Sequence, residues 1–182
     1  MLNSKILFFA LVIATSCNQK RSSNTNSVGF SRENIDTSFS MIRNHFLDAD
    51  TVLLVGHLGL LGDFPKPDDT LPLIVTSGKL NYPIIKKQKI STKTEIDTLL
   101  SILSKPDGEY LGLAKCGWNP HHSIVLIKNG HYSYIDMCFS CQQFGTSDDL
   151  KYFHHFSGEK WNELEDFFKD NGVRYNQYQK KP

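Results

Sequence analysis

Apolar residues recur at helical spacing in three stretches of the chain. Ile35, Phe39, Ile42 and Phe46 follow one another at intervals of four, three and four, which places them on one face of an amphipathic helix with Ser31 as a candidate N-cap. Ile96, Leu99, Leu100 and Leu103 repeat the same geometry and predict a helix over residues 93–104. Thr92-x-x-Glu95 opens it as a capping box, in which the hydroxyl accepts an early N–H and the carboxylate reaches back to the cap. Lys105-Pro106-Asp107-Gly108 ends it, because proline cannot continue the hydrogen-bond ladder. A third helix carries Trp161, Leu164, Phe167 and Phe168 on one side, with Ser157 as its cap and Asn171-Gly172 as its stop.

Shorter apolar runs predict strands. Thr51 to Gly56 (TVLLVG) is β-branched and apolar, Leu71 to Val75 (LPLIV) is a second such run, and Ile84 to Ile90 (IIKKQKI) alternates weakly. The Gly-, Pro- and Asp-rich stretch from Gly56 to Thr70 reads as a loop, and Val173 to Tyr178 as either a strand or an irregular tail. Asn129-Gly130 between two apolar runs marks a two-residue hairpin, since a type I′ turn needs positive φ at both central positions. That turn pairs Lys128 with His131, sets Ile124 opposite Ile135 and sets His121 opposite Cys138. Ile124, Leu126, Ile135 and Met137 then share one face, and Val125, Ile127, Tyr132 and Tyr134 the other. Apolar side chains on both faces place the hairpin centrally in a covered sheet. The expected fold is α+β: an antiparallel sheet centred on a 122–137 hairpin, with two or three helices packed mostly on one face.

Composition fits one such domain over residues 30–182. The chain has 182 residues, 40% of them hydrophobic, enough for a substantial core. Lysine and arginine total 20 against 19 aspartates and glutamates, with no block of like charge, so a general nucleic-acid or anionic-membrane binder is not expected.

The first residues change the picture most. Lys5 precedes an apolar run from Ile6 to Ala14, too short to span a bilayer but suited to a signal-peptide core. Ala14-Thr15-Ser16-Cys17 follows, and this N-terminus resembles a bacterial lipoprotein signal peptide with its lipobox. The resemblance implies removal of residues 1–16, a diacylglyceryl thioether on Cys17 and acylation, with palmitate for example, of the new amino group. It also implies anchoring in a bacterial cell envelope membrane, with the domain periplasmic or surface-exposed. Several acyl chains hold a protein stably, whereas one binds marginally. Residues 17–29 then form a lipidated, Ser/Asn-rich flexible tether.

The remaining cysteines gather at one end of the hairpin. Seven paired residues at roughly 3.4 Å each put that end about 24 Å from the Asn-Gly turn. Cys116, His121, His122, Cys138 and Cys141 all lie there. Three readings stay open. The first is a Cys3His metal centre from Cys116, His122, Cys138 and Cys141, with His121 as the alternative imidazole, since zinc takes four tetrahedral N/S ligands and Cys-x-x-Cys supplies two from one turn. The second is a single disulfide with a third thiol placed elsewhere, as an oxidising compartment favours. The third is a redox Cys-x-x-Cys, which requires a helix N-terminus to lower a thiol pKa. Glutamine at position 142 excludes c-type haem attachment.

Cys116, Pro120-His121-His122-Ser123-Ile124 and Cys138-Phe139-Ser140-Cys141 together resemble an uncharacterised family of small bacterial secreted proteins and lipoproteins, over roughly residues 90–175. That family's pattern is a Cys, a Pro-x-His before a strand and a Cys-Phe-x-Cys after the next. The resemblance implies no activity, and it places the family histidine at His122. The hairpin register favours His121 opposite Cys138, and one β-bulge would shift the facing to His122.

Other chemistry is thinner. His154-His155 reads as an exposed pair, and Asp148-Asp149 as turn or helix caps. No G-x-S-x-G, H-E-x-x-H, P-loop or EF-hand spacing occurs. The expectation is therefore a non-enzymatic envelope lipoprotein whose Cys/His cluster is structural or binds zinc. The alternatives are an envelope thiol enzyme using Cys116 or the Cys138/Cys141 pair, and a protein-interaction module using a sheet edge or the 57–70 loop.

Overall fold

The computed structural model describes residues 32–59, 71–107, 118–151, 153 and 155–174, with side chains of the first helix from Phe39 onward; all belong to one compact unit, Ser31–Pro182. The expected signal peptide (1–16), Cys17, the tether to residue 29, Ser31, residues 60–70, Cys116, His154 and residues 175–178 lie outside the described residues.

The elements run α1 (Arg32–Asp48), β1 (Thr51–His57), β2 (Val75–Thr76), β3 (Lys79–Leu80), β4 (Ile85–Ile90), α2 (Lys93–Leu103), β5 (His122–Lys128), β6 (His131–Cys138), β7 (Gln143–Thr146) and α3 (Gly158–Asp170). Single 3-10 turns stand at Tyr82–Ile84 and Asp148–Leu150. Five strands form one antiparallel sheet in the order β4-β1-β5-β6-β7, and β2 pairs with β3 apart from it. The fold is α+β, as the hydrophobic pattern indicates, and the hairpin strand β5 occupies the centre of the sheet.

The local signals act as their chemistry requires. The Thr92 hydroxyl accepts the Glu95 N–H at 3.3 Å, and Glu95 Oε2 accepts the Thr92 N–H at 2.7 Å, so the capping box is complete. Ser157 Oγ accepts the Lys160 N–H at 3.2 Å at the start of α3. Asn129 and Gly130 have φ of 50° and 77°, the pair of positive angles a type I′ turn needs.

The hairpin divides the core by alternation. Leu54, Ile124, Leu126, Ile135 and Met137 face the helices and meet Phe46, Leu99, Leu103, Leu164 and Phe168. Leu53, Val55 and Val125 face the other way and are covered by Ile74, Leu80 and Ile84. The small β2–β3 hairpin therefore does the work of a third layer.

Two strand expectations change. Leu71–Val75 is not a strand: only Val75 enters one, because Ser77 and Gly78, with φ of 51° and 70°, fold the chain into the two-residue β2–β3 pair. Ile74 instead turns its side chain into the second core. Strand β7 arises where the sequence carries no strand signal: Met137 pairs with Phe144, and Cys138 with Gln143.

Lysines lock the helices to the sheet and to each other. Lys89 of β4 donates to Asn171 Oδ1 at 2.6 Å and is ion-paired with Glu95 of α2. Lys160, only 2% exposed, donates to Asp107 Oδ1 at 2.6 Å and lies 5.0 Å from the Phe156 ring centroid. A buried ammonium is tolerated when a carboxylate and a ring face replace its water.

Candidate functional site

The antiparallel registers assemble a polar cluster at the end of the sheet away from the Asn-Gly turn. Gly56 pairs with His122 across β1 and β5, and the His57 N–H donates to the His121 carbonyl at 2.9 Å, which extends that pairing by one residue. Ser123 pairs with Asp136 across β5 and β6. His57, His121, Ser123 and Asp136 consequently share the face opposite the helices, and all four are buried.

Asp136 Oδ1 is the hub. It accepts from Ser123 Oγ at 2.8 Å and from His57 Nε2 at 2.8 Å. The other His57 nitrogen, Nδ1, lies 3.1 Å from the Leu58 carbonyl. Both ring nitrogens therefore lie within hydrogen-bond reach of an oxygen acceptor. Buried polar groups are stable only when they are hydrogen-bonded in this way.

His121 is held differently. Gly59 N–H can only donate, and it reaches His121 Nδ1 at 3.0 Å. The same nitrogen lies 3.3 Å from the His57 carbonyl oxygen, so Nδ1 is held between the two backbone groups. Burial lowers the His121 pKa and keeps the ring neutral. The approach leaves no room for a side chain: a Cβ on Gly59 would stand 2.1 Å from Asn119 Oδ1 and 2.5 Å from His121 Cε1.

His122 points to the opposite face. Its ring packs 4.8 Å from Phe139 and 5.3 Å from Phe168, centroid to centroid. Burial, with the nearby His121 and His57, pushes its pKa down to about 3. It is a neutral ring in an aromatic pocket. The strands pair without a bulge from His122 to Lys128, so it is His121 that shares the face of Cys138.

Cys138 and Cys141 are joined in a disulfide with a Cα separation of 5.4 Å, and both are buried. The chain turns at Gln142, with φ of 49°, and enters β7. A strand, not a helix N-terminus, follows the Cys-x-x-Cys, so the element that acidifies a redox thiol is missing from this position. Of the expected zinc set, Cys138 and Cys141 are bonded to each other here, and His122 stands across the sheet from Cys138. Cys116 lies outside the described residues, among which no three His, Cys, Asp or Glu side chains converge as a metal centre requires.

The cluster's chemistry is that of a closed network. Both His57 nitrogens and His121 Nδ1 are engaged by protein groups. Three of its members, His57, Ser123 and Asp136, carry no motif. Ser123 opposite Asp136 was nevertheless implicit in the Asn129-Gly130 register, and an aspartate on a strand face that otherwise carries Tyr132 and Tyr134 is the one available signal. Asp148 and Asp149 start a 3-10 turn, and Asp149 accepts the Ser133 hydroxyl. Compared with known proteins, the chain matches no family model, no curated protein and no solved structure.

Proposed function

We propose that the chain is an exported, lipid-anchored protein of the bacterial envelope, held by acylated Cys17, and that its Cys/His cluster is structural. The observation that carries this reading is the buried Cys138–Cys141 disulfide. Disulfides persist in oxidising compartments and are rare in the cytosol, which agrees with export. The lipobox-like Ala14-Thr15-Ser16-Cys17 supplies the anchor. In this reading the disulfide fixes the β6–β7 turn, and the His57–Asp136–Ser123 network fixes the same end of β1, β5 and β6.

The test is mass spectrometry of the protein taken from its native compartment, with labelled palmitate, thiol counting and elemental analysis on the same sample. The expected result is an acylated N-terminal peptide beginning at Cys17, a Cys138–Cys141 disulfide and only traces of transition metal. A Cys17→Ala chain should carry no label. Absence of lipid on the wild type refutes the anchor. One zinc per chain with both thiols reduced refutes the structural disulfide in favour of the metal centre. Fast alkylation of Cys116 at neutral pH points instead to a thiol enzyme, because reactivity follows thiolate character and exposure.

A further inference from the structure

The chain is nearly neutral as a whole, but its charge is segregated. Residues 71–94 contain five lysines and no aspartate or glutamate, which leaves 15 basic against 19 acidic residues elsewhere. This segment forms β2, β3, the end strand β4 and the entry to α2. Lys79, Lys86, Lys87 and Lys93 are exposed, and Lys89 alone of the five is ion-paired among the described residues, to Glu95.

The same segment carries the largest exposed apolar side chains. Of the four strongly exposed large hydrophobic residues among those described, three lie here: Leu73 at 56%, Tyr82 at 60% and Ile90 at 67%. Lysine alone on an edge strand protects it from pairing with another chain. That role does not call for an isoleucine and a tyrosine left in solvent beside it. Exposed lysines interleaved along the chain with exposed Tyr and aliphatic side chains match a bilayer interface, where the rings and aliphatic groups sit at headgroup depth and the lysines meet phosphate.

We propose that the β4 edge, with the β2–β3 hairpin and the start of α2, docks onto anionic phospholipid headgroups. The inference uses the lipid-anchor reading in one respect: a tethered domain meets its membrane at high effective concentration, so a modest surface affinity is enough. Docking would make the anchored domain lie against the bilayer along this edge.

The test uses the full chain as purified from a bacterial envelope, with the mass of its N-terminal peptide recorded so that its lipid state is known. Protein is mixed with vesicles of phosphatidylglycerol in phosphatidylethanolamine, or of phosphatidylcholine alone, and lysines are briefly labelled with a water-soluble amine reagent. Lys86, Lys87 and Lys93 should label at least about fivefold more slowly on the anionic vesicles, as the loss of one lysine's worth of surface attraction predicts. The difference should vanish at high salt, and Lys128 and Lys151, exposed elsewhere, should label equally on both. In Lys86→Glu/Lys87→Glu the protection of Lys93 should disappear, and the wild-type comparison carries the test should that variant fold poorly. Equal labelling on the two vesicle types overturns the proposal. Protection by soluble poly-glutamate but not by anionic vesicles also overturns it and identifies an acidic polypeptide as the partner. Protection by anionic vesicles in a preparation with no lipid on Cys17 refutes the anchor and sustains the surface.

Discussion

His122 and Asp136 show how two polar residues in one hairpin take opposite fates. His122 is lodged among Phe139 and Phe168, and burial pushes its pKa down to about 3 from the ordinary 6.5. Between those values the unfolded chain binds a proton that the folded one refuses. The neutral ring's contribution is therefore whole above pH 6.5 and is lost as pH falls toward 3, at a slope of up to about 1.4 kcal/mol per pH unit. His122→Phe removes the proton but keeps a ring. Relative to wild type, it should gain about 3 kcal/mol between pH 7.5 and pH 4.5 in urea unfolding. An offset that stays constant with pH would show that His122 does not titrate on unfolding. Asp136 is instead the shared hydrogen-bond acceptor of His57 and Ser123. Asp136→Asn weakens the acceptor that the buried His57 and Ser123 share and should cost about 1–3 kcal/mol, by the same measurement. His57→Leu/Asp136→Leu, which removes both hydrogen-bond partners, should cost less than the two single leucine variants summed. Strict additivity would show that the pair is not coupled.

At the scale of elements, legibility followed the locality of the signal. The α2 capping box and the Asn129-Gly130 turn each need only four neighbouring residues, and both are present with the hydrogen bonds and dihedral angles their sequences imply. The hairpin faces followed from the turn by counting. Strand β7 was not legible, because Gln143–Thr146 is four residues with no alternation, and its extended form is imposed by pairing with β6. Leu71–Val75 misled for the converse reason: an apolar run can be covered by side-chain burial alone, as Ile74 is, without a strand partner. The His57–Asp136 contact joins residues 79 apart, and it requires knowing that β1 pairs with β5, which no local pattern states. The Cys138–Cys141 disulfide closes the turn between β6 and β7 over a sequence separation of 3. Loop-closure entropy for so short a ring predicts a contribution of about 2 kcal/mol. Cys138→Ser/Cys141→Ser should therefore fold, with its unfolding free energy in urea lowered by that amount and its zinc content unchanged. A chain that folds only when reduced and supplied with zinc would instead assign these sulfurs to a metal.

The whole molecule is organised around β5. It pairs on both sides, with β1 and β6, and its alternate side chains enter both cores. The pairing of Thr51 with Ile127 closes a long stretch of chain, so the sheet is complete only when the C-terminal half has arrived. Cross-ties then gather the helices around it: Lys89 reaches Glu95 and Asn171, Lys160 reaches Asp107, and Lys105 reaches Glu159 and Glu163. The β2–β3 pair has two residues per strand, and its Thr76, Ser77, Gly78 and Lys79 are exposed. Local opening costs least where few apolar contacts and few ladder bonds must be broken together. Hydrogen exchange should thus show two tiers. Amides of Leu54, Val125 and Ile135 should exchange only through global unfolding, with protection equal to the stability from urea. Amides of β2 and β3 should exchange through a local opening at least about tenfold more often, without exposing β5. If β2–β3 were as slow as β5, the third layer would be an inseparable part of the core.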